Sequence, residues 1–133
     1  MMSNEEIVFS ILIPTWNNMD YLKLVVRSIQ EHSCYKHQLI IHVNEGIDGT
    51  LDWVKSQPNL DYTFSEKNVG ICYGLNLART KAKHPYIVYM NDDMYVCPQW
   101  DKVLVEEIKK LNDTMFFFSS TMIEPYDTKN NCV

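Results

Sequence analysis

Apolar runs alternate with amphipathic stretches from the N-terminus onward. Residues 7–13 (IVFSILI) form a short apolar run closed by Pro14, the pattern of a strand buried on both faces. Leu22, Val25, Val26 and Ile29 then recur at helical spacing, which predicts an amphipathic helix over about 18–32, with Asn17 placed to cap it. Residues 38–44 (QLIIHVN) read as a second buried strand. A short helix carrying Leu51 and Val54 follows, starting at Asp48 or Thr50, the former able to cap it, and stopping near Pro58. Leu60, Tyr62 and Phe64 alternate with polar residues, the mark of a half-exposed third strand. Ile71, Leu75, Ala78 and Ala82 line one face of a helix over about 69–83, and residues 86–90 (YIVYM) make a fourth strand. Trp100, Val103, Leu104, Ile108 and Leu111 give another helical stripe, and Met115–Phe118 opens a fifth strand.

This order of strand and helix predicts an α/β fold, a mostly parallel sheet with helices on both faces, in a single domain covering residues 1–133. Ligands of such sheets bind at the carboxyl ends of the strands. The search for chemistry therefore falls on the loops 14–17, 44–48, 65–70 and 91–97. An apolar run such as MFFFSS (115–120), with no helical pattern after it, also leads us to expect association between copies of the chain.

Composition narrows the choice of ligand. Twelve basic and seventeen acidic residues give a net charge of −5, without a basic stripe for nucleic acid or a polybasic cluster for anionic lipid. Cys34, Cys72, Cys97 and Cys132 form no CxxC pair and read as reduced thiols. Glu5 and Glu6 precede the first apolar run, opposite in sign to a secretory leader, so a cytoplasmic location is expected. Only four glycines occur: Gly46, Gly49, Gly70 and Gly74. None builds a GxGxxG after the first strand or a GxxxxGK[ST] loop, which disfavours a dinucleotide site and excludes P-loop chemistry.

Asn91, Asp92 and Asp93 directly follow the fourth strand. Paired carboxylates there serve as a solvated turn or as oxygen ligands for Mg²⁺ or Mn²⁺. Glu45 ends the second strand, where it is either a loop residue or an acceptor for a nucleobase N–H. Gly70 and Gly74, four apart on one helix, serve either close packing or close approach of a ligand. The four histidines show no metal-binding spacing.

Together these segments resemble the N-terminal half of a family 2 glycosyltransferase of the Rossmann-like GT-A fold, truncated relative to the whole. ILIPTWN (11–17) resembles the opening strand and its loop. VNEGIDGT (43–50) resembles the V-D-D-G-S-x-D-G-T loop, one residue shorter and with Asn44-Glu45 for two Asp. Residues 66–93 resemble the N-x-G-x-x-x-G-x-N helix leading into a DXD-type motif, and Pro98-Gln99-Trp100 the proline and helix that follow.

The resemblance implies roles at matching positions. Pro14 and Trp16 line a nucleobase pocket, with Thr15 and Asn17 on the same donor-binding loop. Glu45 contacts the base, Asn68 and Gly70 approach base and ribose, and Asn91 and Asp92 face ribose and sugar. Asp93 binds Mn²⁺ or Mg²⁺. The partners implied are a UDP-, GDP- or dTDP-sugar and a glycan or other acceptor, with inversion at the anomeric carbon, at a location that extends to the periphery of a membrane. The family's general base lies in its second half, and Glu124 and Asp127 sit poorly for that task. The alternatives are a non-catalytic nucleotide or nucleotide-sugar binding module, and a receiver-like regulatory domain. The receiver is disfavoured because no lysine ends the fifth strand.

Overall fold

The computed structural model describes residues 6–123. Its elements run β1 (Phe9–Trp16), α1 (Met19–His32), β2 (Gln38–Asn44), α2 (Thr50–Ser56), β3 (Leu60–Ser65), α3 (Gly70–Arg79), β4 (Tyr86–Tyr89) and α4 (Trp100–Lys110). The four strands form one sheet in the order β3-β2-β1-β4, all parallel. From β1 the chain builds outward through β2 to β3, then crosses back to place β4 on the other side of β1. The reversal makes the gap between β1 and β4 the switch point of the sheet.

Period-2 alternation sends the two faces of the central strands to different layers. Phe9, Ile11 and Ile13 of β1 and Leu39, Ile41 and Val43 of β2 pack with Leu22, Val25 and Ile29 of α1, Val54 of α2, and Val105 and Ile108 of α4. Leu12 and Ile40 point the other way, onto Ala78, Leu75 and Ala82 in and after α3. Both faces of β1 and β2 are therefore covered, which is why these strands read as nearly continuous apolar runs.

Differences from the sequence expectations have local causes. The helix expected to reach residue 83 ends at Arg79, because Thr80, Lys81 and Ala82 close tight turns onto Leu77, Ala78 and Arg79. The fifth strand expected at Met115–Phe118 is absent among the described residues. Phe116 does lie 6.0 Å from the Tyr86 ring and 5.0 Å from Phe118, while Phe117 is 92% exposed. The segment thus keeps a strand's alternation beside β4 without backbone pairing to it.

Asn17 does not cap α1. Its backbone turns left-handed, with φ of 46°, and its side chain serves the neighbouring loop instead. The first amide of α1, Met19 N–H, donates to Asp48 Oδ2 at 3.1 Å, so a carboxylate from the β2–α2 loop takes over the capping task. Asp48 Oδ1 also accepts from Thr50 N–H at 3.1 Å and from the Thr50 hydroxyl at 2.6 Å. Burial opposes the charge on Asp48, but these hydrogen bonds outweigh it and hold its pKa below the ordinary value.

The amino end of the sheet is closed by a buried pair. His37 Nδ1 accepts from Phe9 N–H at 3.0 Å, so the imidazole must donate through Nε2 to Asp101 Oδ2, 2.8 Å away. Asp101 accepts from the amides of Cys34 and Tyr35 as well, at 3.0 and 2.9 Å, which ties α4 to the loop before β2. Burial lowers the His37 pKa and outweighs the pull of Asp101. At Asp101, burial is opposed by the Cys34, Tyr35 and His37 donors, which win and keep the carboxylate ionised.

His42 of β2 is also buried, and burial lowers its pKa too. Both histidines are therefore neutral when folded, whereas the unfolded chain protonates them near the ordinary value of 6.5. The unfolded state binds more protons below that pH, so stability falls as pH falls through it, by up to about 1.4 kcal/mol per histidine per pH unit. The depressed Asp101 adds a further loss only below its ordinary 3.8. Urea denaturation at pH 7.5 and 5.5 is expected to show a lower midpoint at the acid end. A midpoint that is flat or rises on acidification would contradict this.

Candidate functional site

The carboxyl edge of the sheet gathers the residues singled out from the sequence. β1 continues to Trp16, but β4 ends at Tyr89 opposite Leu12, with Met90 N–H closing the last bond onto the Leu12 carbonyl. Beyond that point the two chains separate and a crevice opens. Across it, the Thr15 hydroxyl donates to Asp92 Oδ2 at 2.7 Å, joining the end of β1 to the turn after β4. Thr15 is buried and Asp92 is half-buried, so this bond fixes the direction of the Asp92 carboxylate.

On the other side of β1, Trp16 Nε1 donates to Glu45 Oε2 at 3.1 Å and Asn17 Nδ2 to the same oxygen at 3.3 Å. The second oxygen of Glu45 makes no hydrogen bond among the described residues. Asn17 Oδ1 accepts from Ile47 N–H at 3.0 Å, which stitches the loop after β1 to the loop after β2. Trp16 is 55% exposed at the carboxyl edge of the sheet. Pro14 lies buried one turn of the pleat below.

The loop after β2 is strained. Glu45 has φ of 59° and Gly46 of 69°. A left-handed glutamate costs about 1–2 kcal/mol, and it persists because the surroundings over-determine it. Here Glu45 N–H donates to the Ser65 carbonyl at 2.9 Å and Gly46 N–H to the Asn44 carbonyl at 2.7 Å. At position 46 only glycine fits: a Cβ would come within 2.7 Å of Val43 and 2.9 Å of Leu51. The loop therefore presents the Glu45 side chain in one direction.

A third loop completes the rim. Asn68 Oδ1 accepts from Gly70 N–H at 2.9 Å, and Gly70, with φ of 79°, begins α3 with open space where a Cβ would stand. Gly74 serves the other purpose raised by the sequence, close packing, since a Cβ there would meet the His42 ring at 2.6 Å.

Asn91 accepts from the Tyr89 hydroxyl. That hydroxyl's pKa is raised by burial first and then by the charges of Asp92 and Asp93. Neither carboxylate belongs to an ion pair among the described residues. Two adjacent carboxylates with no cationic neighbour suit a hard divalent cation such as Mg²⁺ or Mn²⁺. Among the described residues no three His, Cys, Asp or Glu side chains converge. Glu124 and Asp127 lie outside the described residues.

The sequence reading missed Asn44, Ser65 and His42, which prove to be hydrogen-bonded to one another behind this rim. The available signal was a polar histidine interrupting the apolar run IIHV.

The chain resembles TuaG of Bacillus subtilis (strain 168), a protein named as a glycosyltransferase of teichuronic acid biosynthesis, at 26% identity over 110 residues, 80% of this chain and 42% of that protein. Among solved structures, S. aureus TarS 1–349 in complex with UDP-GlcNAc aligns with a TM-score of 0.69 at 21% identity, over 78% of this chain and 32% of that one. The mannosyltransferase PcManGT of Pyrobaculum calidifontis, in complex with GDP-Man and Mn²⁺, aligns with a TM-score of 0.62 at 22% identity, over 80% of this chain and 32% of that one. The chain thus spans less than half the length of these relatives, and shares with the solved ones the GT-A fold. The model of the family described as glycosyl transferase family 2 matches residues 10–131, and this chain belongs to that family.

Proposed function

We propose that the chain provides the donor site of a glycosyltransferase that moves a sugar from a nucleoside diphosphate to an acceptor hydroxyl, inverting the anomeric centre with the help of a divalent cation. The observation that carries this reading is that the Trp16–Glu45 and Thr15–Asp92 pairs both sit at the carboxyl edge of the sheet, one on each side of β1. Support comes from relatives of the same fold solved with UDP, UDP-GlcNAc and GDP-Man.

Each side chain then has a physical task. Trp16 offers an indole face to a base, and the free oxygen of Glu45 accepts a ring N–H. The turn at Asn68–Gly70 flanks the ribose. Asp92, directed by Thr15, faces the ribose and sugar, and Asp93 holds Mn²⁺ or Mg²⁺ beside Asn91. A cation there would stabilise, as a Lewis acid, the negative charge that gathers on the departing diphosphate. The acceptor, a glycan or another hydroxyl compound, needs a carboxylate base to draw off its proton. Glu45 and Asp92 are committed to hydrogen bonds with Trp16, Asn17 and Thr15, so that base is not drawn from them.

Calorimetry with UDP, GDP and dTDP tests the reading directly. Binding is expected to be much tighter with Mn²⁺ than in excess chelator, and Asp93→Ala is expected to remove most of that difference. Equal binding with and without chelator would refute the cation's role, and no binding of any of the three would refute the donor site.

Glu45→Ala removes a charged acceptor from the base, a loss of about 1.5–3 kcal/mol, so the dissociation constant is expected to rise roughly 10- to 100-fold. An unchanged constant would move the base elsewhere.

A further inference from the structure

His42 occupies an unexpected place. It is fully buried in the middle of β2, on the face that packs against α3, between the apolar Ile40 and Leu12 and the hydroxyls of Thr63 and Ser65 on β3. Seating an imidazole there requires glycine at position 74, because a Cβ at that point would come within 2.6 Å of the ring. A glycine inside a helix is less favourable than alanine by about 1 kcal/mol, and a buried ring must satisfy both nitrogens. An aliphatic residue at 42 with alanine at 74 would fill the same space but leave the Thr63 and Ser65 hydroxyls without the ring as partner. The imidazole therefore does something that packing alone does not require.

Its hydrogen bonds show what that is. His42 Nδ1 lies 2.8 Å from the Thr63 hydroxyl and Nε2 lies 3.2 Å from the Ser65 hydroxyl. Ser65 Oγ donates to Asn44 Oδ1 at 3.1 Å, so its oxygen must accept from His42, which puts the imidazole proton on Nε2. Nδ1 in turn accepts from Thr63. Asn44 Oδ1 takes a second donor, the Val69 amide, at 2.9 Å. The result is a one-way chain: Thr63 to His42, His42 to Ser65, Ser65 to Asn44, with the Val69 amide held at its end. Val69 is the residue from which α3 starts, and it sits inside the Asn68–Gly70 turn. Ser65 also takes Glu45 N–H on its carbonyl, so the same short segment holds two loops of the crevice.

We propose that His42, Ser65 and Asn44 are positioning residues for the nucleoside part of the ligand, acting through the Asn68–Gly70 turn and the Glu45 loop. This inference rests on the donor-site reading above. It assigns a role to groups that touch no ligand themselves, and it separates the nucleoside half of the crevice from the carboxylates that face the diphosphate.

The experiment compares two probes, UDP and inorganic pyrophosphate, each with Mn²⁺, on the whole chain. His42→Leu and Asn44→Leu break the chain, whereas His42→Gln keeps a donor toward Ser65 and Asn44→Asp keeps an acceptor for Val69. The leucine variants are expected to weaken UDP about tenfold, the loss of one hydrogen bond's worth of ordering, while pyrophosphate affinity stays within about twofold. Hydrogen exchange at the Val69 and Gly70 amides is expected to speed up in the same two variants and to stay slow in the conservative pair. Equal weakening of both probes would show general structural damage and overturn the inference. An unchanged UDP constant in the leucine variants would overturn it as well, leaving the donor site intact. Should the unmodified chain bind pyrophosphate but not UDP, the nucleoside reading and this inference fall together.

Discussion

Pro14 carries no amide hydrogen, and it stands at the one point of β1 where that lack costs nothing. Alternation along a strand sends successive backbone groups to opposite neighbours. Leu12 bonds toward β4 through its carbonyl, so position 14 faces the same side, two residues beyond the last bond from Met90. The missing N–H therefore falls where the ladder has already stopped, and it also prevents the ladder from going further. β1 and β4 must part at this place. The crevice, the span from Thr15 to Asp92 and the exposure of Trp16 all depend on that parting.

The two ends of the sheet handle polarity differently. At the amino end the buried polar side chains find their partners within the protein among the described residues. Ser10 donates to Gln38 at 2.6 Å and accepts from the amides of Lys83 and His84, while His37 and Asp101 close on each other and on nearby backbone. At the carboxyl end the same kinds of residue stop one bond short: one oxygen of Glu45 and the carboxylate of Asp93 make no hydrogen bond among the described residues. The closed end holds the fold, and the open end leaves polar capacity for a ligand.

Much of this was legible in the sequence because burial leaves a periodic record. β1 and β2 are covered on both faces and read as apolar runs, and α1 and α4 matched their stripes to within a residue or two. The loops at the carboxyl edge of the sheet were also legible, because glycine, proline and paired carboxylates punctuate strand ends. The fifth strand was not. Its apolar alternation is real, as the contact of Phe116 with Tyr86 shows, but alternation cannot report whether a backbone partner is within reach. The caps were misassigned for a similar reason. Asn17 has the right chemistry for a cap, yet Asp48, twenty-nine residues from Met19, does the work. The His42–Ser65–Asn44 chain was invisible because its members lie on two strands whose register no single sequence discloses.

Asp48 has a consequence for how such proteins diversify. The loop it belongs to carries Glu45, the residue proposed to read the base, and that same loop closes the first turn of α1. Loops of this kind are often pictured as interchangeable modules on an inert scaffold. Here a transplanted 44–50 segment without an acidic residue at 48 would leave a helix end open, while one that kept Asp48 but altered the turn would aim it elsewhere. Ligand preference and helix integrity are thus inherited together, and a change of specificity in this loop has to travel with its cap.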